Sequence, residues 1–117
     1  MKSILLVFVG GGLGSVLRFW LGKVFNNPIP ALPYGTWISN FFACLIFGFL
    51  TGFIYHKLVD EDTKKFVLTG FCGGLSTFSS FNYEIYEFVR HEQFGYAIVY
   101  LAGSLITCLV GFSLSFM

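Results

Sequence analysis

The run GTWISNFFACLIFGFLTGFIY, residues 35–55, contains no charged side chain and is mostly apolar. A helix that crosses the hydrocarbon core of a bilayer needs about 20 consecutive, mainly apolar residues, so this run is long enough to cross. Lipid offers no hydrogen-bond partners to the backbone, which makes a helix the structure expected for it. The fold then depends on whether the rest of the chain repeats this pattern.

Three further apolar runs, uncharged or nearly so, accompany it. Of the 117 residues, 56% are apolar and 11% are charged, whereas a soluble domain averages about 25% charged residues. We predict one all-α integral membrane domain over residues 1–117, with spans at approximately residues 3–25, 35–56, 66–90 and 94–116. The net charge of +1 does not suggest a nucleic-acid partner.

Short segments connect these spans. Residues 26–34 contain all three prolines and predict a tight connection that terminates a helix, while the mixed charges of residues 56–65 predict a solvated loop. One side of the membrane would carry four basic residues and the other side three. Because basic residues in short loops set orientation, this near balance favours insertion in both directions and antiparallel pairing of two copies. A single orientation remains an alternative on charge alone.

The segment GFCGGLSTFSSFNYE, residues 70–84, predicts a break in the third helix. Each glycine costs about 1 kcal/mol relative to alanine within a helix, and hydroxyl side chains compete for backbone partners. We place the break near residues 73–76, where freed carbonyls at an interior site can coordinate a cation. Beyond it, Phe78 and Phe81 are three positions apart and point the same way. The electropositive edges of their rings can favour an anion.

Polar side chains on two other spans allow two interpretations each. Asn40 in the second span either bonds a neighbouring helix, which we favour from this residue alone, or donates its amide to a passing anion. In the fourth span Tyr96, Tyr100, Ser104 and Cys108 recur every four residues and share one face. The hydroxyls on this face either bond backbone carbonyls or form a line of donors for an ion that has lost its water.

The three cysteines are predicted to be packing residues. Cys44, Cys72 and Cys108 lie far apart in the sequence, each within an apolar run, and form no CxxC or Cys/His pattern. Small apolar residues at helix contacts are therefore the favoured interpretation over a redox or zinc site.

Three motifs together resemble those of a known family. GGGLGSVLRF at residues 10–19, YGTWISN at residues 34–40 and the segment at residues 70–84 are similar in order and spacing to the motifs of the Fluc/CrcB fluoride channels. The resemblance extends over essentially the whole chain. It implies an antiparallel, dual-topology dimer of four-span subunits with two pores, which exports cytoplasmic fluoride passively across a bacterial plasma membrane and is not an enzyme.

The resemblance also implies roles for individual residues. The positions that match the fluoride pore of the family are Asn40, Phe78, Ser79, Ser80, Phe81, Tyr100 and Ser104. Arg18 and Glu84 match vestibule positions. Gly73 and Ser76 match positions whose main-chain carbonyls, from both subunits, hold a structural Na⁺. The partner implied is a second copy of the chain, or a paralogous subunit.

Two positions depart from the family pattern. Cys108 stands where many relatives have a hydroxyl, so the polar line of the fourth span either ends early or continues at Thr107. Asn82 stands where serine is usual, and we expect a mild effect.

Other classes of protein fit the sequence less well. A small four-helix, dual-topology exporter of drugs or cations needs a carboxylate buried in the membrane, and Glu84 and Glu87 lie towards the far end of the third span. A purely structural membrane subunit would not require the glycine-rich break together with the two phenylalanines and the asparagine. A membrane enzyme is disfavoured because His56 and His91 both lie in loops.

Overall fold

The computed structural model describes residues 1–25 and 33–116, so most of the proline-rich connection lies outside the described residues. The described residues confirm the prediction of an all-helical chain. In chain order the elements are α1 (Lys2–Phe25), α2 (Tyr34–Tyr55), α3 (Glu61–Lys64), a π-helical segment (Lys65–Cys72), α4 (Gly73–Leu75), α5 (Phe78–Arg90) and α6 (Phe94–Phe116).

Three helices in the described ranges are long and apolar enough to cross a membrane: Lys2–Phe25, Tyr34–Tyr55 and Phe94–Leu114. The third predicted span differs, because it consists of two shorter helical stretches. The first runs without interruption through α3, the π-helical segment and α4, and the second is α5.

The two stretches are separated by Ser76 and Thr77. Both have extended backbones, with φ/ψ of −79°/152° at Ser76 and −149°/124° at Thr77. Gly73 and Gly74 are helical, so the extended residues are those with hydroxyl side chains and not the glycines. The glycine at position 74 has a packing reason instead, since a Cβ there would collide with the carbonyl oxygen of Gly11 in α1.

Close backbone contact joins α1 to the first stretch of the third span. Gly10 and Gly14 are buried in α1, and a Cβ on either would collide with a carbonyl oxygen, that of Phe66 or of Phe71 respectively. Between helices in lipid, small residues allow this approach and the dispersion contacts that come with it. The α1 glycines therefore hold the third span against the first.

A second pair of helices, α2 and α6, packs aromatic rings against glycines. A Cβ on Gly103 would lie 2.6 Å from the Trp37 ring, and a Cβ on Gly111 would lie 2.9 Å from the Phe41 ring. The Trp37 indole also donates a hydrogen bond of 2.8 Å to the Thr107 hydroxyl. These contacts fix the rotation of α6 relative to α2.

α3 and the first residue of the π-helical segment lie at the same end of the molecule as the start of α1. Lys2 pairs with Asp62 at 2.7 Å, and Lys65 donates a 2.8 Å hydrogen bond to Ser3. Asp60 caps α3 by accepting from the Thr63 N–H at 2.9 Å, and its hydrogen bonds with Thr63 lower the pKa of the Asp60 carboxyl. The chain thus returns to its starting end after α1 and α2.

Most of the apolar surface of the long helices is not covered by the chain itself. In the most apolar 18-residue stretch of each helix, only 11% of α1 is buried, against 17% of α2 and 22% of α6. Because water would disfavour so large an apolar surface, lipid or another chain must cover it.

Candidate functional site

The side chain of Asn40 replaces the missing helical hydrogen bonds of the third span. Its Oδ1 accepts from the Thr77 N–H at 2.7 Å, and its Nδ2 donates to the Thr77 carbonyl at 3.3 Å. One amide thus satisfies both backbone groups of an extended residue, as buried polar groups require. The Asn40 amide has a second hydrogen beyond the one given to Thr77.

The break also withdraws the helical donors from two carbonyls. In a continuous helix the Gly73 carbonyl would accept from the Thr77 N–H and the Ser76 carbonyl from the Ser80 N–H. The Thr77 N–H donates to Asn40 instead, and the Ser80 N–H donates to the Thr77 hydroxyl at 3.2 Å, where it caps α5. These carbonyls belong to the two positions predicted to bind Na⁺.

A third carbonyl at the break is bonded from α1. In a continuous helix the Gly74 carbonyl would accept from the N–H of residue 78, but here the Arg18 Nε donates to it at 3.0 Å. A charge-assisted bond of this kind is stronger than one between neutral groups. Arg18, predicted from the family resemblance to be a vestibule residue, is therefore also attached to the broken helix.

An uncharged groove of about 240 Å³ lies beside the break. Its described lining consists of Asn40, Cys44, Ser76, Thr77, Phe78, Phe81, Ser104, Leu105 and Cys108. None of these lining residues is an aspartate, glutamate, lysine, arginine or histidine. The groove therefore offers amide, hydroxyl and thiol groups and aromatic edges to whatever occupies it.

The two predicted pore phenylalanines are adjacent in this groove but differ in exposure. Their ring centroids are 6.3 Å apart with an interplanar angle of 39°. Phe81 is buried against Tyr100, with ring centroids 5.0 Å apart, whereas the Phe78 side chain is 76% exposed. Phe81 is thus fixed by α6, and Phe78 extends from the chain surface.

Ser104 lines the uncharged groove from α6 and is 96% buried, with a relative exposure of 4%. Within the part of the chain that the structure describes, its hydroxyl has no hydrogen-bond partner. Buried polar groups are nearly always paired, so an unpaired hydroxyl in a groove indicates a place for a ligand or water.

A polar cavity of about 340 Å³ lies on the other side of Thr77 and includes Arg18, Lys23, Ser80 and Glu84. Glu84 accepts hydrogen bonds at its two carboxylate oxygens, from the Thr36 hydroxyl at 2.9 Å and from the Tyr100 hydroxyl at 2.8 Å. Tyr100, with a relative exposure of 0%, is in ring contact with Phe81. It therefore connects Glu84 of the polar cavity to a ring of the uncharged groove.

The predicted pore residues therefore divide between two places. Asn40, Phe78, Phe81 and Ser104 line the uncharged groove. Neither Ser79 nor Ser80 is among the described lining residues of the groove. Ser80 lines the polar cavity, and the Ser79 hydroxyl lies 3.3 Å from that of Thr77.

Two residues of the site were missed by the sequence analysis. Thr77 lines both the uncharged groove and the polar cavity, and Thr36 is a buried partner of Glu84. A threonine directly before a helix is a common N-cap signal, which could have identified Thr77. No sequence signal identifies Thr36, because its role depends on a residue 48 positions later.

The structure also resolves the alternative left open at Cys108. The Thr107 hydroxyl accepts from Trp37 and donates to the Gly103 carbonyl at 2.8 Å. It lines a different cavity, beside Tyr34 and Phe41. Thr107 therefore does not continue the polar line, and Cys108 follows Ser104 along the groove.

These features define a class before any relative is considered: an integral membrane protein in which two extended residues, between helical stretches, lie beside an uncharged groove. A family model described as CrcB-like protein, Camphor Resistance (CrcB), matches residues 5–116. The chain belongs to the CrcB family.

Three relatives are named as fluoride-specific ion channels. FluC of Pectobacterium carotovorum subsp. carotovorum (strain PC1) is 44% identical, over 97% of this chain and 93% of the relative. FluC 1 of Staphylococcus haemolyticus is 38% identical, over 97% of this chain and 100% of the relative. FluC of Pyrococcus furiosus is 35% identical, over 93% and 89% respectively. The similarity thus extends over nearly the full length of each protein.

Proposed function

We propose that this chain is a passive, fluoride-selective anion channel that exports cytoplasmic fluoride across the plasma membrane. The single observation that carries the proposal is the buried, unpartnered hydroxyl of Ser104 in a groove shared with Asn40, Phe78 and Phe81. The names of the relatives supply the ion, and the groove supplies chemistry that suits it.

The groove suits passage of a small anion better than its storage. Removing water from a concentrated charge is costly unless other groups replace the water. The Ser104 hydroxyl and the second amide hydrogen of Asn40 are neutral donors, and the ring edges of Phe78 and Phe81 are weakly positive. A site without fixed positive charge stabilises the ion enough for entry and leaves it free to exit.

The polar cavity is proposed as the vestibule of this pathway. Arg18 and Lys23 attract an anion from solution, and Glu84 is held by Thr36 and Tyr100. Ser79, Ser80 and Tyr100 then belong to the passage between the vestibule and the uncharged groove. Thr77 lines both, so we add it to the proposed pore residues.

The proposed assembly is an antiparallel dimer of two copies with two pores. The Phe78 ring is 76% exposed although it borders the groove, which supports closure of the passage by a second chain. A paralogous subunit is the other possible partner. Each copy would contribute the same residues, because the chain contains both phenylalanines and the asparagine.

A structural Na⁺ is proposed between the two copies. The Gly73 and Ser76 carbonyls have lost their helical donors to Asn40 and Thr77, so they fit the oxygen ligands that a hard cation prefers. Such an ion would neutralise the carbonyl dipoles at the break. We expect replacement of Na⁺ by N-methylglucamine to lower the thermal unfolding temperature of the purified protein. An unfolding temperature independent of Na⁺ would contradict the site.

The function is tested by ion efflux from liposomes that contain the purified protein. We expect fluoride release without chloride release, and no dependence on a proton gradient, which a proton-coupled exporter would require. Chloride release at an equal rate would contradict the proposal.

Replacement of the two phenylalanine rings tests their proposed role in the pore. Phe78→Ile and Phe81→Ile each preserve an apolar side chain but remove the ring, and we expect fluoride release to fall on the order of tenfold or more, about 1.4 kcal/mol of barrier. Phe8→Ile is the control, because Phe8 in α1 is also 76% exposed and is not among the groove residues. Unchanged release in both ring variants would remove the assignment of these rings.

A further inference from the structure

Two cysteines from different helices meet in the uncharged groove. Cys44 of α2 and Cys108 of α6 are 64 residues apart in sequence, yet both line the same groove of about 240 Å³. Both are free and only partly buried, and both line the groove with Ser104. Sequence spacing gave no reason to pair them, because the pairing arises from the contact between α2 and α6.

The number of donors limits the ligand that this thiol pair suits. In the described chain no group of three or more His, Cys, Asp or Glu side chains is placed to hold a metal ion. Zinc prefers four ligands, so two thiols do not complete a zinc site. Soft cations with a filled d shell bind thiolates in a linear arrangement, so two thiolate ligands are enough for them.

The charge of the surroundings limits the ligand further. The described lining of the groove contains no aspartate, glutamate, lysine, arginine or histidine, so a metal complex with net charge would lack a counter-ion there. Two thiolates around a divalent cation give a neutral product, whereas two thiolates around a monovalent cation leave one negative charge. A divalent ion is therefore favoured over Ag⁺ or Cu⁺.

We propose that Cys44 and Cys108 together bind one divalent, linear-coordinating, thiophilic cation of the mercuric class. Binding forms two sulfur–metal bonds and releases two protons, one from each thiol, with no change in oxidation state. The unpartnered Ser104 hydroxyl, one helical turn before Cys108, is placed to make a weak additional contact. A bound ion would occupy the groove beside Phe81 and block it, an effect that rests on the proposed channel function.

Cys72 provides the matched control. Cys72 shares a cavity with Cys44 but is only 3% exposed, in an apolar cluster with Ala43, Leu68 and Leu75. It lines a neighbouring cavity and not the groove. Cys72→Ala should therefore leave the proposed site intact and remove the competing Cys44–Cys72 pair.

The binding test uses Hg²⁺ and purified Cys72→Ala protein in a chloride-free, weakly buffered detergent solution. One equivalent of Hg²⁺ should remove both remaining thiols from a colorimetric thiol assay and release two protons per chain. With Cys108→Ser added, one equivalent should remove one thiol and release one proton. Loss of only one thiol in the Cys72→Ala protein, or mercury-bridged chains of doubled mass under denaturing conditions, would overturn the site.

The position of the site is tested by fluoride efflux in the same Cys72→Ala background. One equivalent of Hg²⁺ should reduce efflux at least tenfold, and addition of a dithiol should restore it. The protein that also carries Cys108→Ser should be treated with Hg²⁺ and washed briefly with a monothiol. Its efflux rate should then equal the rate of the same protein before treatment. Binding by both thiols without a change in efflux would overturn the placement in the passage. Absence of efflux from untreated protein would contradict the channel function, while the thiol and proton counts would still decide the metal site.

Discussion

The sequence allowed two interpretations of Asn40, and the structure is compatible with both. Its amide bonds the Thr77 backbone in both directions, which is the packing interpretation. The same side chain lines the uncharged groove, which allows the anion interpretation as well. The two are compatible because a primary amide has two donor hydrogens and an acceptor.

Asn40→Asp separates these roles. The carboxylate still accepts from the Thr77 N–H, but it loses the donor to the Thr77 carbonyl and adds a negative charge to the groove. We expect fluoride efflux to fall on the order of tenfold or more because like charge opposes anion entry. We expect stability to fall by about 1–3 kcal/mol because a carbonyl loses its partner.

Ser39→Ala is the matched control for this prediction. Ser39 is the preceding residue and is fully buried, but its hydroxyl bonds the Gly35 carbonyl of its own helix at 2.8 Å. We expect near-normal efflux, measured with the same liposomes, and stability measured by thermal unfolding in detergent. Normal efflux in Asn40→Asp would show that the amide does not face the ion pathway.

Residue types predicted the groove only in part. Phenylalanines three positions apart and a lone asparagine in an apolar run are visible in the sequence, and the structure brings them together with Ser104. The sequence did not show that Ser80 lines the polar cavity. A helix that restarts after two extended residues directs its side chains differently from a continuous helix, so the faces cannot be counted through the break. The hydrogen bond between Thr36 and Glu84 depends on tertiary contact, so it could not be predicted from the sequence either.

At the scale of elements, the α1 glycines determine how closely the third span approaches. Gly14→Ala would drive a methyl group into the Phe71 carbonyl oxygen, and we expect destabilisation of about 1–3 kcal/mol from overpacking. Because the same helix carries Arg18, a shift of α1 would also strain the bond to the Gly74 carbonyl. We therefore expect a lower thermal unfolding temperature together with reduced fluoride efflux.

Gly12→Ala is the control on the same helix. A Cβ at Gly12 has no neighbour within 4 Å in the described chain. The substitution should be neutral or stabilise the helix by up to about 1 kcal/mol through propensity. Equal destabilisation by both substitutions would mean that backbone flexibility and not helix contact explains these glycines.

Long helices were easier to predict than the broken one. α1, α2 and α6 coincide closely with the predicted apolar runs, because bilayer thickness imposes their length. The break lies at Ser76 and Thr77 because Asn40 and Arg18 supply the missing bonds there. The π-helical turns before it have no comparable local signal, and they occur where the segment packs against the glycines of α1.

At the scale of the whole molecule, a chain that buries so little of its apolar surface is expected to associate. We expect the purified protein to have the mass of a dimer in detergent, measured by light scattering. We also expect both orientations in the cell, because the basic residues are nearly balanced between the two ends.

Labelling of single cysteines tests the orientation. In a background without native cysteines, Glu61→Cys at one end and His91→Cys at the other should each react in part with an impermeant reagent on whole cells. The remainder of each should react only after permeabilisation. Complete labelling of one position with none of the other would establish a single orientation and contradict the antiparallel dimer.

The two side chains that bond the backbone at the break are synthesised before it. Asn40 precedes Thr77 by 37 residues, and Arg18 precedes Gly74 by 56. The ribosome therefore delivers both side chains to the bilayer before the segment that needs them. A third span emerging alone would carry unpaired peptide groups into lipid, whereas here the earlier helices receive it with those partners already in place.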